Sequence, residues 1–421
     1  MIRTVIKIFV TFILFSISAF PQSKLLIYMD LSQTDHLKAY GITYRALTKG
    51  YKADWLLNYR GGSFMIDYSN DLAAECRLNA VAFEPLTLSQ ATDIYSFVQS
   101  DEQNMDVVRL EKAPKIAVYV PPGFQPWDDA VTLALEYAGV PYDKIWNDEI
   151  LRGDLDKYDW LHLHHEDFTG QYGKFYASFS NAQWYIDQQM SYEADAKKNG
   201  FKKVSEMMKA VAVDIKNYVG LGGFLFAMCS ATDSYDIALS AIGVDICASM
   251  YDGDAADPDA QQKLNFDNTL AFTNFKLEMN PYVYEYSNID IQPIEIGDFQ
   301  NDYFTLFDFS AKYDPVPTML TQCHVNVIKG FMGQTTMFRR STIKSSVIIL
   351  GERKGTDQVK YIHGNFGRGT FTFYGGHDPE DYQHAVGDPP TDLSLHKNSP
   401  GYRLILNNIL FPAATKKKQK T

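Results

Sequence analysis

The stretch Gly222-Gly223-Phe224-Leu225-Phe226-Ala227-Met228-Cys229-Ser230-Ala231-Thr232-Asp233 decides how the chain is read. Its apolar run predicts a buried strand, and the small residues that follow predict a sharp turn into a helix with Cys229 at the turn. Two other stretches share this form. Tyr158-Asp159-Trp160-Leu161-His162-Leu163-His164-His165-Glu166-Asp167-Phe168 is an apolar strand that ends in a polar cluster. So is Thr370-Phe371-Thr372-Phe373-Tyr374-Gly375-Gly376-His377-Asp378-Pro379-Glu380. In parallel α/β sheets, binding sites collect at the carboxyl ends of strands. Three strands ending in Cys, His, Glu and Asp therefore predict one site.

Working outward, the spacing of strands and helices predicts an α/β fold. Strands are expected at 24–29, 53–57, 115–120, 142–146, 159–163, 224–228, 346–351, 359–363 and 370–374. Helices are expected after Thr34 or Asp35, at 70–78, from Pro126 to Ala138, from a Ser205 cap to Gly220, at 233–242 and at 401–410. Strand, helix, strand, strand over 115–163 argues for a mostly parallel sheet with helices on both faces. The expected organisation is a leader over 1–22, a small α/β unit over 23–112, a main domain over 113–414 and a basic tail over 415–421. Two insertions interrupt the main domain. The one at about 171–204 is aromatic and helix-prone. The one at about 249–345 is irregular with short strands and reads as a cover over the site.

The chain has 421 residues, 46% of them hydrophobic and 14% aromatic, which suits a globular protein and excludes disorder. Its formal charge is −12, and loss of a leader bearing Arg3 and Lys7 makes it more acidic. Phosphate neutralisation needs a basic face, so nucleic acid is excluded as a partner. Arg3 and Lys7, the apolar run 8–17 and the small residues Ser18 and Ala19 have the form of a secretory signal peptide. No later stretch is apolar enough to span a membrane, so a periplasmic or extracellular location is expected. Cys76, Cys229, Cys247 and Cys323 are too few and too unevenly spaced for a disulfide scaffold, and no C-x-x-C pair is present.

The chemistry centres on Cys229. A nucleophile on a strand-to-helix elbow needs small residues two positions either side, and these are Ala227 and Ala231. The helix N-terminus beyond it is expected to lower the thiol pKa, and the following N–H groups to form an oxyanion hole. The alternative is that Cys229 is a small buried residue at a tight packing point, or half of a disulfide. His377 and Glu380 could supply the base and the carboxylate that orients it, or cap the last helix. His162, His164, His165, Glu166 and Asp167, with His377 and Asp378, could hold a divalent metal or form a substrate-binding wall, or be satisfied residues at a strand end. His162 and His164 share one strand face and His165 the other, so regular structure does not bring all three together. His384 and Asp381 follow closely in sequence. After the second strand, Arg60-Gly61-Gly62 could admit a ligand's anion to the backbone, or be an ordinary turn. Asp252, Asp254, Asp257 and Asp259 could hold calcium, or form a solvated acidic turn. The ligand class expected is a small molecule, glycan or peptide; neither cofactor nor metal is determined.

With these pieces in place, residues 115–411 resemble the class I glutamine amidotransferase-like superfamily, including its ThuA-like branches. GGFLFAMCSA (222–231) resembles its strand and nucleophile elbow, HGNFGRGTFTFYGGHDPE (363–380) its closing hairpin and His-Pro-Glu segment, and GYRLILNNILF (401–411) its final helix. The resemblance implies a flavodoxin-like sheet, with Cys229 as nucleophile, His377 as base and Glu380 as orienting acid. Here Asp378 separates His377 from Pro379-Glu380, the elbow lacks the usual flanking glycines, and ThuA-like branches lack the cysteine. The whole chain also resembles exported Bacteroidetes proteins that carry the name asparagine synthetase B. That activity needs an N-terminal cysteine and a Ser-Gly-Gly-x-Asp-Ser loop, for which Arg60-Gly61-Gly62-Ser63-Phe64 is no substitute.

Overall fold

Along the strand Phe224–Met228 the side chains alternate between two cores. Phe226 and Met228 face one, and Leu225 and Ala227 face the other. The same alternation holds for Trp160 against Leu161 and Leu163. A strand apolar on both faces needs helices on both sides, and here it has them. The computed structural model describes residues 22–123, 129–291, 302–383 and 385–415. The expected leader, apart from Gln22, the basic run 416–420, the helix start at Pro126 and His384 lie outside the described residues.

The strands are β1 Lys24–Ile27, β2 Ala53–Leu57, β3 Ser63–Asp67, β4 Glu84–Leu86, β5 Asp106–Leu110, β6 Ile116–Tyr119, β7 Asp143–Ile145 and β8 Trp160–Leu163. They continue with β9 Phe224–Met228, β10 Tyr303–Leu306, β11 Val327–Lys329, β12 Phe338–Arg339, β13 Ile348–Glu352, β14 Gln358–Phe366 and β15 Gly369–Tyr374. The first five form an antiparallel sheet in the order β4-β1-β3-β2-β5. The rest form one sheet in the order β11-β10-β13-β14-β15-β9-β8-β6-β7, with β12 on β14.

This second sheet is mixed, not mostly parallel as expected. From β15 through β9, β8 and β6 to β7 every pairing is parallel. From β15 through β14 and β13 to β10 and β11 every pairing is antiparallel. Short turns join β13, β14 and β15, which forces antiparallel pairing, since a parallel pair needs a long crossover. The irregular insertion adds β10 and β11 to that edge.

The helix Ala130–Ala138 and the closing helix Pro400–Leu410 cover one face of the parallel half. The helices Val204–Leu221 and Ala231–Ser240 cover the other. Ser205 lies inside the first of these last two, whose N-cap is Lys203, and does not cap it. The helix His36–Thr48, capped by Asp35, packs on Ala130–Ala138 and Pro400–Leu410, so the two sheets share a core. Buried Arg403 donates to the carbonyl oxygens of Met29 (2.9 Å) and Gly61 and to the Tyr40 hydroxyl (3.0 Å), tying the closing helix to the first sheet.

Two surface expectations take their bland form. A Cβ at Gly61 (φ +76°) would meet the Met29 carbonyl at 2.3 Å, and one at Gly62 (φ +91°) the Gln322 amide at 2.3 Å. The glycine pair thus lets the protein's own chain come close at both positions. The acidic turn is neutralised from within. Lys203 reaches Asp245 (2.6 Å), Asp252 (3.1 Å) and Asp254, while Lys263 pairs with Asp257 (3.3 Å) and Asp259 (2.8 Å).

The 249–345 insertion is anchored by buried Asp236, whose carboxylate accepts N–H groups of Leu270 (2.7 Å), Ala271 (2.7 Å) and Phe272 (2.8 Å). Replacing it with alanine strands three buried donors, each costing about 1–3 kcal/mol. Asp236→Ala is expected to lower stability by about 3 kcal/mol or more in urea unfolding. A loss below about 1 kcal/mol would contradict this anchoring role.

Candidate functional site

The three stretches read from the sequence are adjacent strands. β15, β9 and β8 lie side by side and in register, with Tyr374 opposite Met228 and Leu163 opposite Ala227. Their carboxyl ends therefore open together, and each runs directly into its polar cluster.

Cys229 sits at the turn between β9 and the helix Ala231–Ser240 with φ +48°, in the left-handed region. A non-glycine residue there costs about 1–3 kcal/mol and persists only where its surroundings hold it. Here they do so from both sides. Cys229 donates its N–H to the Gly376 carbonyl beyond β15 (3.1 Å), and Ala231 donates to the His164 carbonyl beyond β8 (3.0 Å). Gly376 itself has φ +94°, and a Cβ on it would meet the Phe331 ring at 2.5 Å and Lys360 Nζ at 2.7 Å.

The thiol is buried, and burial pushes it up to about 11, against the depression expected from the helix N-terminus. Backbone N–H groups of Gln334, Ser230 and Thr335 face the sulfur and favour the thiolate, but desolvation outweighs them. Ser230 directly follows Cys229, where the sequence leads one to expect a donor. Gln334 and Thr335 come from the insertion, and no local pattern marked them.

Cys229, His165 and His377 line one cavity of about 330 Å³, with Phe175 and Phe179 from the aromatic insertion and Tyr284, Glu285, Met332 and Gln334 from the irregular one. Residues of both insertions thus wall the cavity. Its loop is pinned by Thr336, whose N–H donates to Asp290 (2.8 Å), and by buried Lys360, which donates to the carbonyls of Phe331 and Thr336. The Lys360 ammonium lies 3.8 Å from the Phe331 ring centroid, and burial lowers its pKa to about 7. Thr335 donates its hydroxyl to Asp233 (2.8 Å), whose carboxyl burial raises to about 7.

The histidines divide into two sets. His162 and His164, on one strand face as read, both meet Asp129, at 3.3 Å and 3.5 Å. Burial opposes ionisation of Asp129, yet His162, His164 and His165 hold its carboxyl far below the usual range. Asp129 also caps the helix Ala130–Ala138 by accepting N–H groups of Val131 (2.7 Å) and Thr132 (3.1 Å). An Asp immediately before an apolar helical run was the signal that could have found it. Because β8 stops at Leu163, His165 is freed from its alternation, and it and His164 both approach His377, with ring centroids 6.3 Å and 4.5 Å away.

The remaining predicted residues do other work. Glu380 pairs with His396 at 2.9 Å on a separate surface, so its carboxylate is committed away from His377. Asp167 accepts the N–H groups of Thr169 (2.6 Å), Gln171 (2.7 Å) and Gly173 (3.1 Å), so it shapes the loop leading to Phe175. Asp378 accepts the N–H groups of Glu380 (2.8 Å) and Asp381 (3.3 Å). Arg60 is bound to Asp30 (2.6 Å) and Glu84 (2.8 Å) beside the first sheet, where two carboxylates already fill an anion's place. Glu166 accepts the His164 N–H (2.9 Å) and stands 3.9 Å from His165, with burial raising its carboxyl to about 8. All four cysteines are free thiols.

No family profile and no curated protein matches the chain. Some solved structures are distantly similar. Two Salmonella typhimurium proteins described only as cytoplasmic proteins share 10% and 12% identity over 72% of this chain and 100% of theirs, with TM-scores of 0.34 and 0.33. A catalytic mutant of a GH42 beta-galactosidase from G. stearothermophilus shares 11% identity over 62% of this chain and 27% of its own, with a TM-score of 0.28. Likenesses this loose carry no functional argument.

The strain at Cys229 has a measurable signature. Alanine is ordinarily the more stable residue relative to glycine, but a left-handed φ reverses the order. Cys229→Gly is expected to be more stable than Cys229→Ala by about 1 kcal/mol in chemical denaturation. Greater stability of the alanine variant would mean that the turn is not left-handed.

Proposed function

We propose that the protein is an exported thiol hydrolase acting on a small amide or related acyl substrate, with Cys229 as nucleophile and His377 as proton acceptor. The observation that carries this reading is the left-handed turn at Cys229, which opens into a cavity that His377 also lines. A strained strand-to-helix elbow is how a nucleophile is presented at the edge of an α/β sheet. The resemblance to the class I glutamine amidotransferase-like superfamily points to the same pair. Export, to the periplasm or beyond, rests on the leader alone. Among the described residues no helix is long and apolar enough to cross a membrane.

The thiol rests protonated, so proton transfer accompanies attack. The sulfur adds to the substrate carbonyl carbon as His377 takes its proton. The oxyanion that forms faces the N–H groups of Ser230, Gln334 and Thr335, the donors already gathered around the sulfur. The C–N bond then breaks, and the imidazolium returns its proton to the departing amine. Water, deprotonated by His377, attacks the thioester, releases the acid and restores the thiol. Glu380 takes no part, because His396 holds it.

The cavity's size suits a small molecule or the end group of a longer one. Its aromatic wall of Phe175, Phe179 and Tyr284 favours a second reading, a sugar- or peptide-binding protein without catalysis. Turnover separates the two. Against a panel of primary amides and activated esters, Cys229→Ala is expected to abolish hydrolysis, and His377→Ala to slow it by about 10²–10⁴-fold. Undiminished turnover by Cys229→Ala would refute the thiol mechanism. Ligand-induced thermal stabilisation without turnover would favour the binding protein.

A further inference from the structure

Ring nitrogens of His164, His165 and His377 lie within 4.8 Å of one another, each residue offering one. A zinc–imidazole bond is about 2.0–2.1 Å, so one ion between them can reach all three with small side-chain adjustments. The backbone around two of them is fixed. The His377 N–H donates to the Met332 carbonyl (2.8 Å), and the His164 carbonyl accepts from Ala231 (3.0 Å). Carboxylates stand behind two of the rings. Asp129 Oδ1 is 3.5 Å from His164 Nδ1, and Glu166 Oε1 is 3.9 Å from His165 Nε2. Both carboxyl groups lie just beyond hydrogen-bond range, where a small closure of each would orient its ring toward a metal. Neutral imidazoles suit zinc and its first-row neighbours better than calcium or magnesium, which prefer oxygen.

We propose that His164, His165 and His377 form a binding site for a divalent cation of the zinc class, and that its occupation withdraws His377 from proton transfer to Cys229. The ion-binding half stands on the histidine geometry alone. The inhibitory half rests on the catalytic reading of Cys229 and His377. Three protein ligands leave a fourth position open, and two of the three, His165 and His377, line the cavity whose wall includes Cys229. The lone pair that would accept the thiol proton is the one the ion takes, so the two states exclude each other.

The test uses the full chain stripped with chelator, titrated with Co²⁺ read by visible absorption and with Zn²⁺ in competition. The expected result is one ion per chain in the wild type. His165→Ala, at the cavity wall, weakens binding by about 100-fold or more. Asp129→Asn weakens it by about 10- to 100-fold, since asparagine keeps the helix cap but not the charge. Absence of stoichiometric ion in the wild type, which no folding defect can explain, would overturn the site. So would unchanged affinity in His165→Ala. In a second arm, one equivalent of Zn²⁺ slows labelling of Cys229 by a small amide-like electrophile by about 100-fold, and chelator restores it. Ion binding without slowed labelling would overturn the inhibitory half only. Turnover that survives Cys229→Ala would instead remove the catalytic reading and leave the cation site standing.

Discussion

The left-handed turn at Cys229 is the constraint on which the site depends. It places one backbone N–H on the loop beyond β15 and, two residues later, another on the loop beyond β8. Those two hydrogen bonds hold the strain, and they also fix the loops that carry His377, His164 and His165. The elbow is therefore a clamp as well as a presentation device. Loosening it would release the three polar clusters from one another.

Burial governs the chemistry around that clamp. An N-terminal helix dipole and three backbone donors all favour the thiolate, yet desolvation keeps the thiol protonated. The same effect brings Lys360 and Asp233 to about 7 and Glu166 to about 8. A site whose charges are muted at rest suits a proton that moves only as bonds form. Asp129 is the exception. Burial opposes its charge, but the Coulombic attraction of His162, His164 and His165 outweighs that and keeps the carboxylate ionised.

Much of this was legible in the chain. The runs that became β2 and β9, the helix Asn70–Leu78 and the closing helix were readable because apolar periodicity and capping residues act locally. That three strand ends meet at one sheet edge followed from strands that end in polar residues, but the approach of both His164 and His165 to His377 did not, because strand alternation sends the two to opposite faces. What could not be read depended on partners distant in sequence. Glu380 lies three residues after His377 but turns to His396. Arg60 is claimed by Asp30 and Glu84, and the acidic turn by Lys203 and Lys263. Gln334 and Thr335 approach the sulfur from about a hundred residues away, across an insertion with no periodicity. The antiparallel half of the sheet was missed for a different reason. The spacing over 115–163 argues for parallel pairing there, but it does not extend to β13, β14 and β15, whose connecting turns are too short for a parallel crossover.

The most direct test of Cys229 as nucleophile is to trap the covalent intermediate. The protein is mixed rapidly with an activated ester such as p-nitrophenyl acetate, quenched in acid and read by peptide mass spectrometry. An acyl group on Cys229 that hydroxylamine removes, absent from Cys229→Ala, is the predicted result. Acylation of another residue, or a burst that persists without Cys229, would contradict the account.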